Sequence, residues 1–226
     1  RAAALVNLRD RLPGLPRLSE ALLGFAARRS LPRWRRDYFR GQAEIAAGGS
    51  REVVLLADTF NTYFEPENLR AVAEALAAAG YRVTVLGAAD AARPLCCGRT
   101  YLAAGMVDAA RAAAAALHAA LDPYVTRGVP VVGLEPSCLL GLRDEHRAML
   151  PGEASRTIAE HAMLFEEFLV REHRAGRLAL PLKELPQRRA LVHGHCHQKA
   201  FGVMPAVTEA LKLIPELEVE TIRSSC

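Results

Sequence analysis

The sequence predicts an α/β protein: two Rossmann-like repeats with mainly parallel sheets, the second truncated, behind a helical N-terminal connector. Three observations predict this. Short apolar runs of strand type alternate with helical stretches and few hairpin signals, which is the pattern of a parallel sheet covered on both faces. The alternation restarts after a long helical segment, as an internal repeat does. Every unusual residue follows a predicted strand, at the edge where open α/β sheets bind ligands.

Taken in order, residues 1–50 are irregularly helical, broken by Pro13, Pro16 and Pro32, and end in Gly48-Gly49. They read as a connector packed on a body that starts near Arg51. Glu52 to Ala57 is a buried-type strand. Pro66 to Ala79 has helical spacing, with proline at its start and Gly80 just past its end. Tyr81 to Leu86 is a second strand, and an alanine-rich stretch from about Tyr101 to Val125 reads as one long helix. Val129 to Leu134 is a third strand, and Glu135-Pro136-Ser137-Cys138 turns into another helix. Residues 153–176 read as a single helix with Phe165, Phe168 and Leu169 inward. Then Arg189 to Gly194 is a strand, Gln198 to Leu213 a helix and Leu217 to Ile222 a strand. The expected division is 1–50 connector, 51–150 first repeat, 151–186 linking helix and 187–226 second repeat. Aligning the strand ends lays Leu55-Leu56-Ala57-Asp58-Thr59 over Val192-His193-Gly194-His195-Cys196, so Thr59 takes the place of Cys196.

Composition narrows the function. With 226 residues, 51% of them hydrophobic, the chain can bury a core. It has no apolar run of bilayer length and no signal-peptide layout. It begins with Arg1 and ends with Cys226, and so reads as a piece of a longer chain. Five cysteines at uneven spacing argue against a secreted disulfide framework and for metal or redox chemistry in a reducing, cytoplasmic setting. The net charge of +4 is mild. Its excess lies in Arg28, Arg29, Arg33, Arg35, Arg36 and Arg40 around Trp34 and Tyr38. That cluster reads as a solvated linker or docking surface; nucleic acid is not expected, and peripheral membrane contact at the inner face is a secondary reading.

The chemistry centres on Arg93-Pro94-Leu95-Cys96-Cys97-Gly98-Arg99. Adjacent thiols are useful when both face one metal centre or form a redox pair. Proline favours a turn and glycine lets the chain bend closely around what the sulfurs hold. Candidate metal ligands are Cys96, Cys97, Cys138, Cys196 and Cys226, with Glu135, His195 and His197 as unusual additions. Soft thiolates suit an iron–sulfur cluster. A zinc site completed by His195 or His197 is the main alternative, with a structural role. A thiol–disulfide enzyme working through Cys96 and Cys97 also stays open. A nucleotide-binding sheet lacks its G-x-G-x-x-G turn.

The spacing from Thr59 through Cys96-Cys97-Gly98 to Glu135-Pro136-Ser137-Cys138 resembles the cysteine-rich CCG domain. That domain occurs in the B subunit of heterodisulfide reductase, the glycolate oxidase iron–sulfur subunit and lactate-utilisation proteins. Asp58-Thr59-Phe60 with Tyr63-Phe64-Glu65-Pro66, Gly133 to Cys138, and His193-Gly194-His195-Cys196-His197-Gln198-Lys199 resemble the C-terminal part of bacterial FAD-linked D-lactate or glycolate dehydrogenases. The resemblance covers about residues 51–226. It implies an electron-transfer module with an iron–sulfur cluster of 4Fe–4S type, inactive alone as an enzyme. FAD and a ferredoxin-like relay would sit in upstream domains of the same protein, its partners, and the electron acceptor is undefined. Thr59 and Glu135 stand where the family has cysteines.

Overall fold

The protein is described by a computed structural model covering residues 2–45, 48–87 and 94–224. Two short helices, α1 (Ala2–Val6) and α2 (Leu15–Leu23), and a 3-10 turn at Gly41–Glu44 lead into the body. The body runs β1 (Arg51–Ala57), α3 (Thr59–Tyr63), α4 (Pro66–Ala78), β2 (Tyr81–Gly87), α5 (Arg99–Ala103), α6 (Val107–Val125), β3 (Val131–Gly133) and α7 (Pro136–Gly141). It continues through α8 (Glu145–Met149), α9 (Glu153–His161), β4 (Ala162–Leu164) and α10 (Phe165–Arg174). Then come β5 (Arg189–Val192), α11 (Cys196–Ala200), α12 (Met204–Leu211) and β6 (Glu218–Thr221).

Four strands form a parallel sheet in the order β2-β1-β3-β4, and β5 and β6 form a separate parallel pair. The α/β class and parallel pairing follow the sequence reading. β1 lies inside the sheet and is buried on both sides, as a continuous apolar run requires. Val53 and Leu55 face a core with Leu69, Leu76, Val83 and Phe168. Val54 and Leu56 face a second core with Leu117, Leu121, Leu139 and Ile158. The outermost strand β2 is covered by the connector: Gln42 Nε2 donates to Val83 O at 3.2 Å and its Oε1 accepts from Val85 N at 2.8 Å. Fully buried Phe39 and the Trp34–Phe64 ring pair, 4.9 Å between centroids, fasten the same segment.

Three helices of the sequence reading are interrupted. The stretch 101–125 divides at Gly105, whose φ of 75° ends α5 before α6 begins. The stretch 198–213 divides in the same way at Gly202, φ 67°, and Pro205 then opens α12. Residues 153–176 are helix, strand, helix: Ala162–Leu164 pairs with Val131–Gly133, and Glu167 restarts the helix by accepting from Leu164 N at 2.9 Å. A three-residue apolar strand cannot be told from a helix turn by periodicity.

The repeat is visible in the element order. β1-α3-α4-β2 and β5-α11-α12-β6 are both strand, five-residue helix, longer helix, parallel strand. Asp58 and His195 are the N-caps of the two short helices, and Thr59 and Cys196 are their first residues. The second unit rests on the first through α12 against α10 and α11 against α7. Gln198 joins them, donating from Nε2 to Glu166 Oε1 at 2.6 Å.

Candidate metal centre

The chain steps from β1 outward to β2 and then crosses back past β1 to β3 and β4 on the other side, so the sheet has its switch point between β1 and β3. A small pocket of about 70 Å³ sits at that point, lined among others by Asp58, Thr59, Leu95, Cys96, Cys97 and Cys138. Cys96, Cys97 and Cys138 are free thiols; the first two are half-buried and Cys138 is 8% exposed. Cys97 interacts through its side chain with both Cys96 and Cys138. Three sulfurs, two from the loop before α5 and one from the first turn of α7, therefore line one pocket.

Gly98 makes the turn. Its φ is 79°, and a Cβ there would lie 2.7 Å from Ala110 O on α6, so only glycine lets the loop settle on that helix. The turn aims a backbone N–H back at a sulfur. Gly98 N donates to Cys96 Sγ at 3.4 Å. Donation to Cys97 and then burial push Cys96 far up, and donation to Cys138 is the main cause that raises Cys97 to about 12.

Glu135 lies beside the site with its carboxylate committed. As N-cap of α7 its Oε1 accepts from Ser137 N at 3.2 Å and Ser137 Oγ at 2.6 Å. Asp58 Oδ1 likewise accepts from Asn61 N at 2.9 Å, and burial pushes its pKa up. Of the second-half residues, His197 comes to this neighbourhood: Arg99, Glu135 and Asp144 act on its charge, and burial lowers its pKa. Its Nδ1 is buried without a hydrogen-bond partner. His195 Nδ1 accepts from His197 N at 3.2 Å as a cap. Cys196 is exposed and its sulfur is engaged in a disulfide. Cys226 and Arg93 lie outside the described residues.

Two histidines absent from the sequence reading complete the site from behind. His146 on α8 is 2% exposed, and its Nε2 is 2.8 Å from Cys97 O. Its Nδ1 is 3.0 Å from Nε2 of His118 on α6, also buried. Burial lowers both pKa values, His118 to about 4, so both rings are neutral at pH 7. The signal for His118 was its place on the apolar stripe Ala110, Ala114, Leu117, Leu121, Val125 of α6. Nothing in the local sequence distinguished His146.

The donor set is soft and suits iron–sulfur or copper chemistry. The pocket, with room for roughly two water molecules at ~30 Å³ each, is small for a four-iron cluster. Among the described residues no group of three or more Cys, His, Asp or Glu is arranged to hold a single metal ion. The thiols form a chain of contacts and not a finished zinc tetrahedron. On its outer side an open cleft of about 690 Å³ is lined by Phe60, Phe64, Asn68 and Glu135 among others. Among the described residues no helix is long and apolar enough to cross a membrane.

Compared with known proteins, the chain is 28% identical over 229 aligned residues to the C subunit of the anaerobic glycerol-3-phosphate dehydrogenase of Escherichia coli (strain K12), and equally to that of Escherichia coli O157:H7. The alignments take in 99% of this chain and 56% of the relatives, so the chain spans a little over half their length. No family model and no solved structure matches the chain.

Proposed function

We propose that this chain is an electron-transfer module of a dehydrogenase, carrying an iron–sulfur cluster on Cys96, Cys97 and Cys138. The observation that carries the reading is the meeting of three free thiols at the sheet's switch point, with the Gly98 N–H donating to one of them. A bound cluster supplies single-electron storage and release. The protein's part is to deliver the thiols and to pack their loop, through Leu95 and Cys97, against the core of Leu117, Leu121 and Leu139. A fourth ligand would come from the second unit: His197, with its unpartnered Nδ1, or Cys196 once its disulfide is reduced.

The similarity to part of a multi-subunit dehydrogenase supports partner subunits or domains that oxidise the substrate and bind FAD, with electrons passing through this module. The motif resemblance favours a 2-hydroxy acid such as D-lactate or glycolate as the parent substrate; the similarity found along the whole chain favours glycerol 3-phosphate. On this reading 51–150 and 187–226 are the two repeats, 151–186 links them and 1–50 connects to the partner. Exposed Leu5, Leu18, Leu22, Leu23 and Phe25 lie in a segment that also carries Arg11, Arg17, Arg28 and Arg29. That combination supports peripheral contact with the inner membrane face. The reading is tested by purifying the chain without oxygen, reconstituting it, and measuring iron, acid-labile sulfide and zinc. Iron and sulfide bound in matching amounts, and lost in Cys96→Ser/Cys97→Ser, support it. Stoichiometric zinc with no iron uptake overturns it.

A further inference from the structure

The two buried histidines are connected to a sulfur through a single peptide group. Cys97 O, which accepts from His146, belongs to the peptide whose N–H is that of Gly98, and Gly98 N donates to Cys96 Sγ. A carbonyl oxygen can only accept, so His146 Nε2 carries a hydrogen and its Nδ1 offers the lone pair to His118 Nε2–H. The hydrogen bonds thus run in one direction, from His118 to His146, through the planar 97–98 peptide, to the Cys96 sulfur. Donation to a peptide carbonyl strengthens the N–H on the other side of the same group, because bonds in a chain polarise one another.

We propose that His146, supported by His118, is a positioning residue of the metal centre that sets the strength of the Gly98 N–H···Sγ bond to Cys96 and thereby the reduction potential of the bound centre. The inference rests on the reading of Cys96 as a ligand. Hydrogen bonds to ligating sulfurs stabilise the reduced, more negative state and raise the potential. The arrangement is built for the purpose: His146 and His118 come from different helices, both rings are buried, and the peptide they orient cannot turn freely, since Gly98 rests on Ala110.

The test uses His146→Leu, which removes the donor, His146→Gln, whose amide keeps one, and His118→Leu, which removes only the distal ring. Two quantities are read: hydrogen exchange of the Gly98 amide in the metal-free protein, and the midpoint potential of the anaerobically reconstituted protein. His146→Leu is expected to speed Gly98 exchange by up to about twofold, the ratio that weakening one hydrogen bond by roughly 10–30% supplies, and to make the potential more negative. His146→Gln restores both toward wild type, and His118→Leu shifts both in the same direction by less. Wild-type values in His146→Leu overturn the proposal, as do equal shifts in His146→Gln and His146→Leu. If His146→Leu does not fold, an unchanged potential and unchanged exchange in His118→Leu overturn it equally. Failure of wild type to take up iron is a failure of the cluster reading, and the Gly98 exchange arm still decides the hydrogen-bond chain.

Discussion

At the scale of single residues, the site depends on what a glycine permits. Gly98 combines a left-handed backbone with a Cα placed directly against α6. Gly98→Ala must tolerate both the conformation and the contact with Ala110 O, at a cost of roughly 2 kcal/mol or more. Urea unfolding should show that loss, and metal uptake should fall with it, because the same turn aims the Gly98 N–H. The cysteine trio was legible because adjacent thiols followed by glycine are rare and their spacing to Cys138 is regular. Glu135 and His195 are candidate ligands by residue type, and each also caps a helix, through Oε1 and Nδ1 respectively. Carboxylates and imidazoles serve either purpose, and only geometry separates them. His118 and His146 escaped because each stands alone in sequence and acquires meaning only where α6 and α8 meet.

At the scale of elements, strands were more legible than helices. β1, β2 and β3 were anticipated within about two residues, since buried parallel strands are continuous apolar runs bounded by turn signals. β4 was hidden inside a helical pattern because a strand of three residues, Ala162–Leu164, owes its existence to its partner Val131–Gly133 and not to local preference. The breaks at Gly105 and Gly202 needed their positive φ to be known. The connector yields a sharper statement. Gln42 replaces a neighbouring strand for β2 by satisfying Val83 O and Val85 N. Gln42→Ala leaves both groups to water at a sheet edge. The expected cost is about 1–2 kcal/mol, with faster hydrogen exchange at Val85 while Val53 and Leu55 in β1 stay protected.

At the scale of the whole molecule, a buried ionic network ties the sheet to α10. Glu172, 2% exposed, accepts from Tyr81 OH at 2.5 Å and from Arg177 at 2.7 Å, with Arg51 and Arg171 alongside. Arg177 first, and Tyr81 after it, hold the Glu172 carboxyl down to about 2 from 4.5. A depressed carboxylate stabilises the fold fully above pH 4.5 and loses that contribution as pH falls toward 2. Acid unfolding followed by circular dichroism should therefore show wild type losing stability through that window, and Glu172→Gln showing a smaller dependence there from a lower plateau. An acid limb of equal steepness in the variant would remove Glu172 from this role. The repeat belongs to this scale as well. It could be read from the strand ends, and the matching caps Asp58 and His195 give it a physical form. How the two units meet, through Gln198 and Glu166, depends on side chains far apart in sequence and could not be read from them.

The claim that Cys96, Cys97 and Cys138 form one redox-active metal site is tested most directly by electron paramagnetic resonance of the reconstituted, dithionite-reduced protein. Wild type should give a paramagnetic iron–sulfur signal, and Cys97→Ser, which removes the thiol that touches both others, should lose most of it. An undiminished signal of the same shape in Cys96→Ser/Cys97→Ser/Cys138→Ser would contradict the account, because the iron would then be held elsewhere.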